Sequence, residues 1–256
     1  MTVQPLDPDQ FGPILFETYR IEGHTTFDDL LAVHHQFKRE HQDHSVIITL
    51  DDLGQAEYTS THAILAHDLD TIEGHDLTGI DASAFENGEH LGYLSTPSEF
   101  FIQRENFLQK AQECSFSDAC DSGLTIDDSE IQLLEKIQQS PITYLDKQVL
   151  VKIVPARHSY EALCGFPNGY FSSDLDPFEN YALARHLHDH YGYTFLGIGA
   201  SLLGFIREQP LEVEAAKALA TDLIALYNSD ESSYERMLAL IENRTYLFLK
   251  YTEYLA

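Results

Sequence analysis

The chain has few cysteines, and their spacing excludes a disulfide framework and a zinc ribbon. Its 256 residues include three cysteines, Cys114, Cys120 and Cys164, with no Cys-x-x-Cys pair among them. An odd number cannot all pair within one chain, and zinc ribbons need closely spaced pairs. We therefore expect reduced thiols in a reducing compartment and a cytoplasmic location.

Basic residues are also scarce. The sequence has 15 lysines and arginines against 42 acidic residues, which gives a formal charge of −27 at pH 7. A field of that sign repels the phosphates of nucleic acids and anionic lipid surfaces. The composition predicts that neither nucleic acid nor membrane is a partner. A surface of this charge can bind a basic protein or imitate a nucleic acid, and the simpler interpretation is a solvated surface that favours solubility.

Long apolar runs are missing too. No run approaches the roughly 18 residues that a membrane span needs, and the opening MTVQPLDPDQ lacks the basic and apolar regions of a signal peptide. The sequence does contain the material of a globular core, because 43% of its residues are hydrophobic and 11% are aromatic. This length and composition suit one large core or two modest domains.

The N-terminal region, residues 1–146, has an α/β pattern. Apolar residues recur at helical spacing after Thr26, and the β-branched run SVIITL is typical of a buried strand. The expected elements are a strand at 14–21, a helix at 26–41, a strand at 45–50, and helices at 97–113 and Asp128–Gln139. The region either packs on the sheet of the C-terminal region or forms a second small domain, and the sequence leaves both arrangements open.

The C-terminal region, residues 147–256, contains the helix with the clearest boundary signals. Asp176 and Glu179 have the spacing of a capping box, and Gly192 suits a left-handed helix end. They predict a helix over Pro177–Tyr191. The other expected elements are strands at 147–154, 193–196, 202–207 and 245–251 and helices at 211–227 and 233–242. This order, helix, hairpin, helix, helix and strand, predicts an α+β fold with a mixed or antiparallel sheet covered by helices.

The run VKIVPARHSYEALCGFPNGY resembles the bacterial domain-of-unknown-function family 4253, over about residues 148–251, with a weaker likeness at 26–50. His158, Tyr160 and Glu161 match its His-x-Tyr-Glu-like run, and the family's helix ending in Tyr-Gly matches Tyr191 with Gly192. Pro210 matches its Pro-led helix, and Tyr-Leu-Phe at 246–248 takes the place of its closing strand. The chain has no tryptophan, so a site built on the family's Phe-Gly-Gly-Trp-Asn loop is altered here. The resemblance implies the α+β domain and no established reaction.

A loop rich in aromatic residues and glycine gives the binding candidates. Asn168 and Gly169 form a tight-turn dipeptide between aromatic residues, which orders such a loop and also makes suitable walls for a ligand. The binding candidates in and before the loop are His158, Tyr160, Glu161, Asn168, Tyr170 and Asp174. A packed connection without a ligand is the alternative interpretation.

A cluster of histidine and aspartate offers a second kind of site. The dipeptide His67-Asp68 resembles the paired metal ligands of HD phosphohydrolases, in which a divalent ion activates water. The metal-ligand candidates are His62, His67, Asp68 and His75, with His34 or His35 upstream and Asp118, Asp121 or Asp127 downstream. A dipeptide of this kind is common in a chain with 13 histidines.

Three histidines lie near the end of the predicted helix Pro177–Tyr191. Residues four apart share a helix face, so His186 and His190 point together while His188 points away. They cannot form a three-ligand metal site. We expect capping and surface roles for them, which the helix dipole favours in the last turn.

Other site motifs fail in detail. The acidic run 118–130 departs from a calcium loop at its third position, which is Cys120, and its glutamate falls one place too late. The run GIGASLLG at 197–204 fits neither the dinucleotide fingerprint nor a nucleophile elbow. No catalytic residue and no cofactor is predicted. Two functions stay open, a cytosolic acidic protein that binds or neutralises a basic partner and a metal-dependent hydrolase.

Overall fold

A computed structural model describes residues 1–7 and 13–255, in which seven strands form one mixed sheet packed with helices. The predicted α+β fold is confirmed. The strands of this sheet are β1 (Thr2–Pro5), β2 (Thr18–Glu22), β3 (Ser45–Thr49), β6 (Gln148–Val154), β7 (Thr194–Ile198), β8 (Leu202–Ile206) and β9 (Tyr246–Lys250). A small hairpin adds β4 (Phe85–Glu86) and β5 (Glu89–His90).

The helices of the described residues were predicted from the sequence with two exceptions, Leu53–Ala66 and Phe116–Asp121, although each of these also has a capping side chain. They are α1 (Phe27–Glu40), α2 (Leu53–Ala66), α3 (Phe100–Ala111), α4 (Phe116–Asp121), α5 (Asp128–Gln139), α6 (Pro177–Tyr191), α7 (Val213–Leu226) and α8 (Tyr234–Ile241). The predicted bounds of α5 and α6 are confirmed to the residue. Within the described parts of the chain, no helix is long and apolar enough to cross a membrane.

The ends of α6 show why its bounds follow from local chemistry. Asp176 Oδ1 accepts hydrogen bonds from the backbone N–H groups of Phe178 and Glu179, both at 2.7 Å, and Glu179 Oε2 accepts from the N–H of Asp176. Gly192 has a φ of +68°, which ends the helix in the left-handed conformation. These bonds satisfy N–H groups that a helix leaves open, so the boundary is set by neighbouring residues alone.

Strands of both regions share the large sheet, in the order β1-β2-β6-β3-β7-β8-β9. Strand β3 lies between β6 and β7, antiparallel to the first and parallel to the second. Gly197 of β7 lies so close to β3 that a Cβ there would meet Ile48 O at 1.8 Å. One continuous core of buried side chains runs from Ile21 to Tyr251.

The prediction of a strand at 14–21 is wrong in its bounds. The strand runs over Thr18–Glu22, while Ile14, Leu15 and Phe16 line a cavity beside the sheet. These apolar residues have the composition of a strand, but they line the cavity and do not pair with a neighbouring strand. Strand β1 was not predicted, because its four residues are exposed and give no pattern of burial.

The glycine-rich run 197–204 turns from β7 into β8 around a buried carboxylate. Asp51 Oδ2 accepts hydrogen bonds from the N–H and Oγ of Ser201, at 2.9 and 2.7 Å. A Cβ on Gly199 would lie 2.0 Å from Asp51 Oδ1, so only glycine fits there. Burial raises the pKa of Asp51. The absence of side chains on Gly197 and Gly199 lets the end of β7 lie close against the end of β3.

Candidate functional site

Helix α2 lies beside a cavity on one face and carries exposed aromatic residues on the next. It begins after Asp52, whose side chain accepts from the N–H of Gln55 at 3.1 Å. One face, with Glu57, Ser60, Thr61 and Ile64, lines a cavity. These positions recur at i, i+3, i+4 and i+7, which places them on one side of a helix.

The loop after Gly165 is fastened to α2 by a buried amide. Asn168 is fully buried, and its Oδ1 accepts a hydrogen bond from Thr59 Oγ1 of α2. Its backbone carbonyl accepts from Asn180 Nδ2 at 3.0 Å. Gly169 has a φ of +107°, and a Cβ there would lie 1.9 Å from Leu175 O. The tight turn predicted at Asn168-Gly169 does not form there, since both residues lie in irregular chain and the nearest turn is at 172–173. The bonds of Asn168 and the positive φ of Gly169 hold the loop in one conformation, and Asn168 is a structural anchor.

Four rings of α2 and this loop form an exposed aromatic patch, which consists of Tyr58, His62, Tyr170 and Phe171. The ring centroids of Tyr58 and His62 lie 4.3 Å apart, those of His62 and Tyr170 5.0 Å, and those of Tyr170 and Phe171 5.4 Å. Tyr58 is 54% exposed, Tyr170 40% and Phe171 50%. Contiguous exposed aromatic groups of this kind mark interaction surfaces.

The cavity behind α2 holds a lysine amine, and we call it the Lys152 pocket. It has a volume of about 380 Å³ and is lined by Phe16, Glu57, Ser60, Thr61, Lys152 and Phe166, among others. Lys152 Nζ lies 4.5 Å from the ring centroid of Phe166 and 5.8 Å from that of Phe16. Burial lowers the pKa of Lys152 to about 8, and the charge of Glu57 opposes the shift.

The structure divides the predicted binding residues between different surroundings. Tyr170 lies in the aromatic patch, and Asn168 lies beneath the loop. His158 and Tyr160 stack on each other, with ring centroids 5.2 Å apart and planes 6° apart, and His188 packs on both. The ring of Tyr160 is buried, so this stack is part of the packing between the segment and α6.

Glu161 and Asp174 bond to backbone groups. Glu161 Oε2 accepts from the N–H groups of Arg157 and His158, at 3.0 and 3.3 Å, and so caps the short helical segment Ser159–Gly165. Asp174 Oδ1 accepts from the N–H of Glu253 at 3.0 Å. Both carboxylates hold the chain in place. The six binding candidates do not come together in one site.

The predicted metal ligands also lie apart. His62 belongs to the aromatic patch, and His67 ends α2. Asp68 adopts a positive φ of 51° in the turn that follows, and His75 Nε2 lies 2.8 Å from Asn106 Oδ1. Among residues 1–7 and 13–255, no three or more histidine, cysteine, aspartate or glutamate side chains are grouped to hold a metal ion.

The histidines of α6 follow the predicted faces. The rings of His186 and His190 lie 4.3 Å apart, and His188 Nδ1 faces Tyr193 O at 3.1 Å. His186 does more than the expected surface role, because its Nε2 lies 2.7 Å from Asp222 Oδ2 and its ring stacks on Phe116 at 3.9 Å. It links α6 to α4 and α7.

Sequence reasoning missed Lys152 and the two rings around it. A signal was present, since Lys152 is the one charged residue in the apolar strand run VLVKIV. A charge inside such a strand is buried, paired or directed at a cavity. Phe16 and Phe166 stand far from it in the sequence, so only the fold brings the three together.

Comparison with known proteins gives no relative for this arrangement: no protein-family model, curated protein or solved structure matches the chain.

Proposed function

We propose that the protein is an acidic binding protein that docks a basic protein partner through the aromatic patch. The observation that carries this proposal is the row of exposed aromatic side chains in which His62 joins Tyr58 to Tyr170 and Tyr170 contacts Phe171. They lie on a chain with a formal charge of −27. Aromatic residues supply most of the affinity at protein interfaces, and the surrounding charge selects and steers a partner of opposite sign.

The hydrogen bonds that fix the loop beneath the aromatic patch favour binding. Because Asn168 bonds to Thr59 and Asn180, the loop that carries Tyr170 is attached to both α2 and α6. A fixed loop loses little conformational entropy when a partner binds. The proposal places the protein in the cytosol, in keeping with its three free cysteines, and gives it no nucleic-acid partner because the acidic field repels phosphate.

The proposal is tested by comparing partners captured by the wild-type chain and by a variant with Tyr170→Ser and Phe171→Ser. Tyr254→Ser is the matched control, because Tyr254 is 75% exposed and is not part of the patch. A protein from the host cell that is lost only with the double variant is purified, and its Kd is measured at two salt concentrations. We expect the double variant to weaken binding at least about tenfold, as the loss of an interface hot spot does.

The salt dependence of the Kd tests the charge of the partner separately from the role of the aromatic patch. Binding to a basic partner weakens as salt rises, because the attraction between charged surfaces is screened. A partner that binds the double variant as tightly as wild type contradicts the role of the patch. An acidic partner, or the absence of any patch-dependent partner, contradicts the proposed function.

A further inference from the structure

Lys152 occupies a rigid position in the sheet. It lies within β6, paired with Thr18 of β2 on one side and Ile47 of β3 on the other. Its side chain enters the Lys152 pocket, where the rings of Phe16 and Phe166 stand within 6 Å of the amine. The backbone around the amine is therefore held by two strand pairings, and the amine itself borders open space.

Among residues 1–7 and 13–255, the amine has no polar partner of its own. In the described part of the chain, no acceptor lies within hydrogen-bonding distance of Lys152 Nζ and no carboxylate lies within 4.0 Å of it. Glu57 lines the same pocket and acts on Lys152 only through its charge. A structural lysine in a protein interior is normally paired. This one faces a cavity of about 380 Å³, which has room for a small organic molecule.

We propose that Lys152 binds a small aldehyde or ketone in this pocket as an imine. The two rings suit an apolar substituent on the carbonyl carbon, and Ser60, whose hydroxyl can donate to a carbonyl oxygen, lines the same cavity. The hydroxyl of Thr61, another lining residue, donates to Glu57 O at 3.0 Å. A lysine removed from water in an apolar pocket is a recognised form of activated amine.

The step needs neither oxidant nor reductant. The lone pair of the neutral Nζ forms a bond to the carbonyl carbon while the carbonyl π bond breaks, and one of the two protons on the nitrogen passes to the oxygen, which gives a carbinolamine. Loss of that oxygen as water, with the second proton of the nitrogen, leaves the C=N bond. One amine and one carbonyl compound thus give one imine and one water, and hydrolysis reverses the step.

The proton affinity of the amine supports this chemistry. Burial lowers the pKa of Lys152 to about 8 from the ordinary 10.5. Roughly a tenth of such amines are neutral at pH 7, about two orders of magnitude more than for an ordinary lysine. The neutral form is the one that attacks a carbonyl carbon.

The test uses the full chain, butanal as the carbonyl compound and cyanoborohydride to trap the imine at pH 7.5. Peptide mass spectrometry then gives the rate of alkylation at each lysine. We expect Lys152 to be alkylated at least about tenfold faster than the exposed Lys147, because its neutral fraction is larger. The rate at Lys152 should level off above about pH 8, where the amine is mostly neutral.

Two variants show whether fast alkylation of Lys152 depends on the pocket as well as on the lowered pKa of the amine. Thr61→Trp fills the mouth of the pocket from an exposed helix position and should slow alkylation of Lys152 about tenfold or more, with Lys147 unchanged. Lys152→Met should remove the fast site. Equal or slower alkylation of Lys152 relative to Lys147 overturns the proposal, and so does a fast rate that Thr61→Trp leaves unchanged. None of these results depends on the aromatic patch, so the two proposals fail separately.

Discussion

Lys250 of β9 and Lys152 of β6 are strand lysines of one sheet with opposite surroundings. Lys250 is fully buried, and its Nζ donates to Glu130 Oε1 at 2.6 Å and to Glu253 O at 2.9 Å. Lys152 is half-buried and meets the faces of two phenyl rings. The first amine has its charge matched and holds the C-terminal segment to α5. The second borders a cavity and meets no carboxylate among the residues that the structure describes, which is the arrangement of a binding group.

The largest expected effect comes from removing the partner of Lys250. Glu130→Gln keeps the shape of the side chain but leaves a fully buried ammonium without its carboxylate. Breaking one side of a buried ion pair lowers the free energy of unfolding by about 3–5 kcal/mol. Urea denaturation at pH 7 measures this loss.

The double variant Glu130→Gln with Lys250→Met is the control. It removes both charges and should recover most of the loss, since two neutral side chains have no unmatched charge between them. A single variant that loses less than about 1 kcal/mol would show that Lys250 does not depend on its carboxylate.

Lys152→Met should raise the free energy of unfolding, whereas Glu130→Gln lowers it. At pH 7 we expect the variant to be more stable than wild type by about 1–2 kcal/mol, because the methionine carries no charge into the pocket. The pKa of Lys152 is about 8 in the folded protein and 10.5 for an ordinary lysine. Between these values the unfolded chain binds a proton that the folded chain does not, so wild-type stability rises with pH.

Unfolding free energies at pH 7 and pH 10 measure this difference. The advantage of Lys152→Met should shrink toward zero at the higher pH. Lys147→Met, at an exposed position of the same segment, should show no such dependence. A Lys152→Met variant that is less stable than wild type at pH 7 would mean that the ammonium stabilises the fold, and the contrast with Lys250 would fail.

The smallest effect belongs to an ion pair at the surface. Arg236 donates to Glu135 Oε1 at 3.0 Å and to Asp128 Oδ1 at 2.9 Å, in a partly exposed setting. Arg236→Gln should lower the free energy of unfolding by about 0.5–1 kcal/mol, and less in high salt. Thermal unfolding at low and high salt tests this. A loss as large as that of Glu130→Gln would remove the distinction between buried and exposed pairs.

Local signals predicted the elements that neighbouring residues fix. The capping residues of α6 and α5 predicted their bounds. The turn predicted at Asn168-Gly169 is absent, because Asn168 is buried and bonded to distant residues instead of closing a local turn. The strand at 14–21 failed since apolar residues around a cavity have the composition of a strand. A sequence pattern records that a side chain avoids water and not what it contacts.

The candidate sites were predicted only in part. Tyr170 was singled out as a binding residue and is exposed in the aromatic patch, yet its neighbours Tyr58 and His62 come from α2, more than 100 residues earlier. His62 was considered as a metal ligand because its spacing from other histidines was visible and its contact with Tyr170 was not. Residues distant in sequence meet only through the packing of α2 against the loop.

The sequence by itself determined the α+β class, the acidic composition and the ends of α5 and α6, since each depends on composition or on residues within one turn of each other. The tertiary structure alone decided that β3 separates β6 from β7 and that Lys152 lies between Phe16 and Phe166. The physical reason is that a strand pairing and a cavity are formed by residues far apart in the chain. Their energies depend on the whole packed core, which no short stretch of sequence contains.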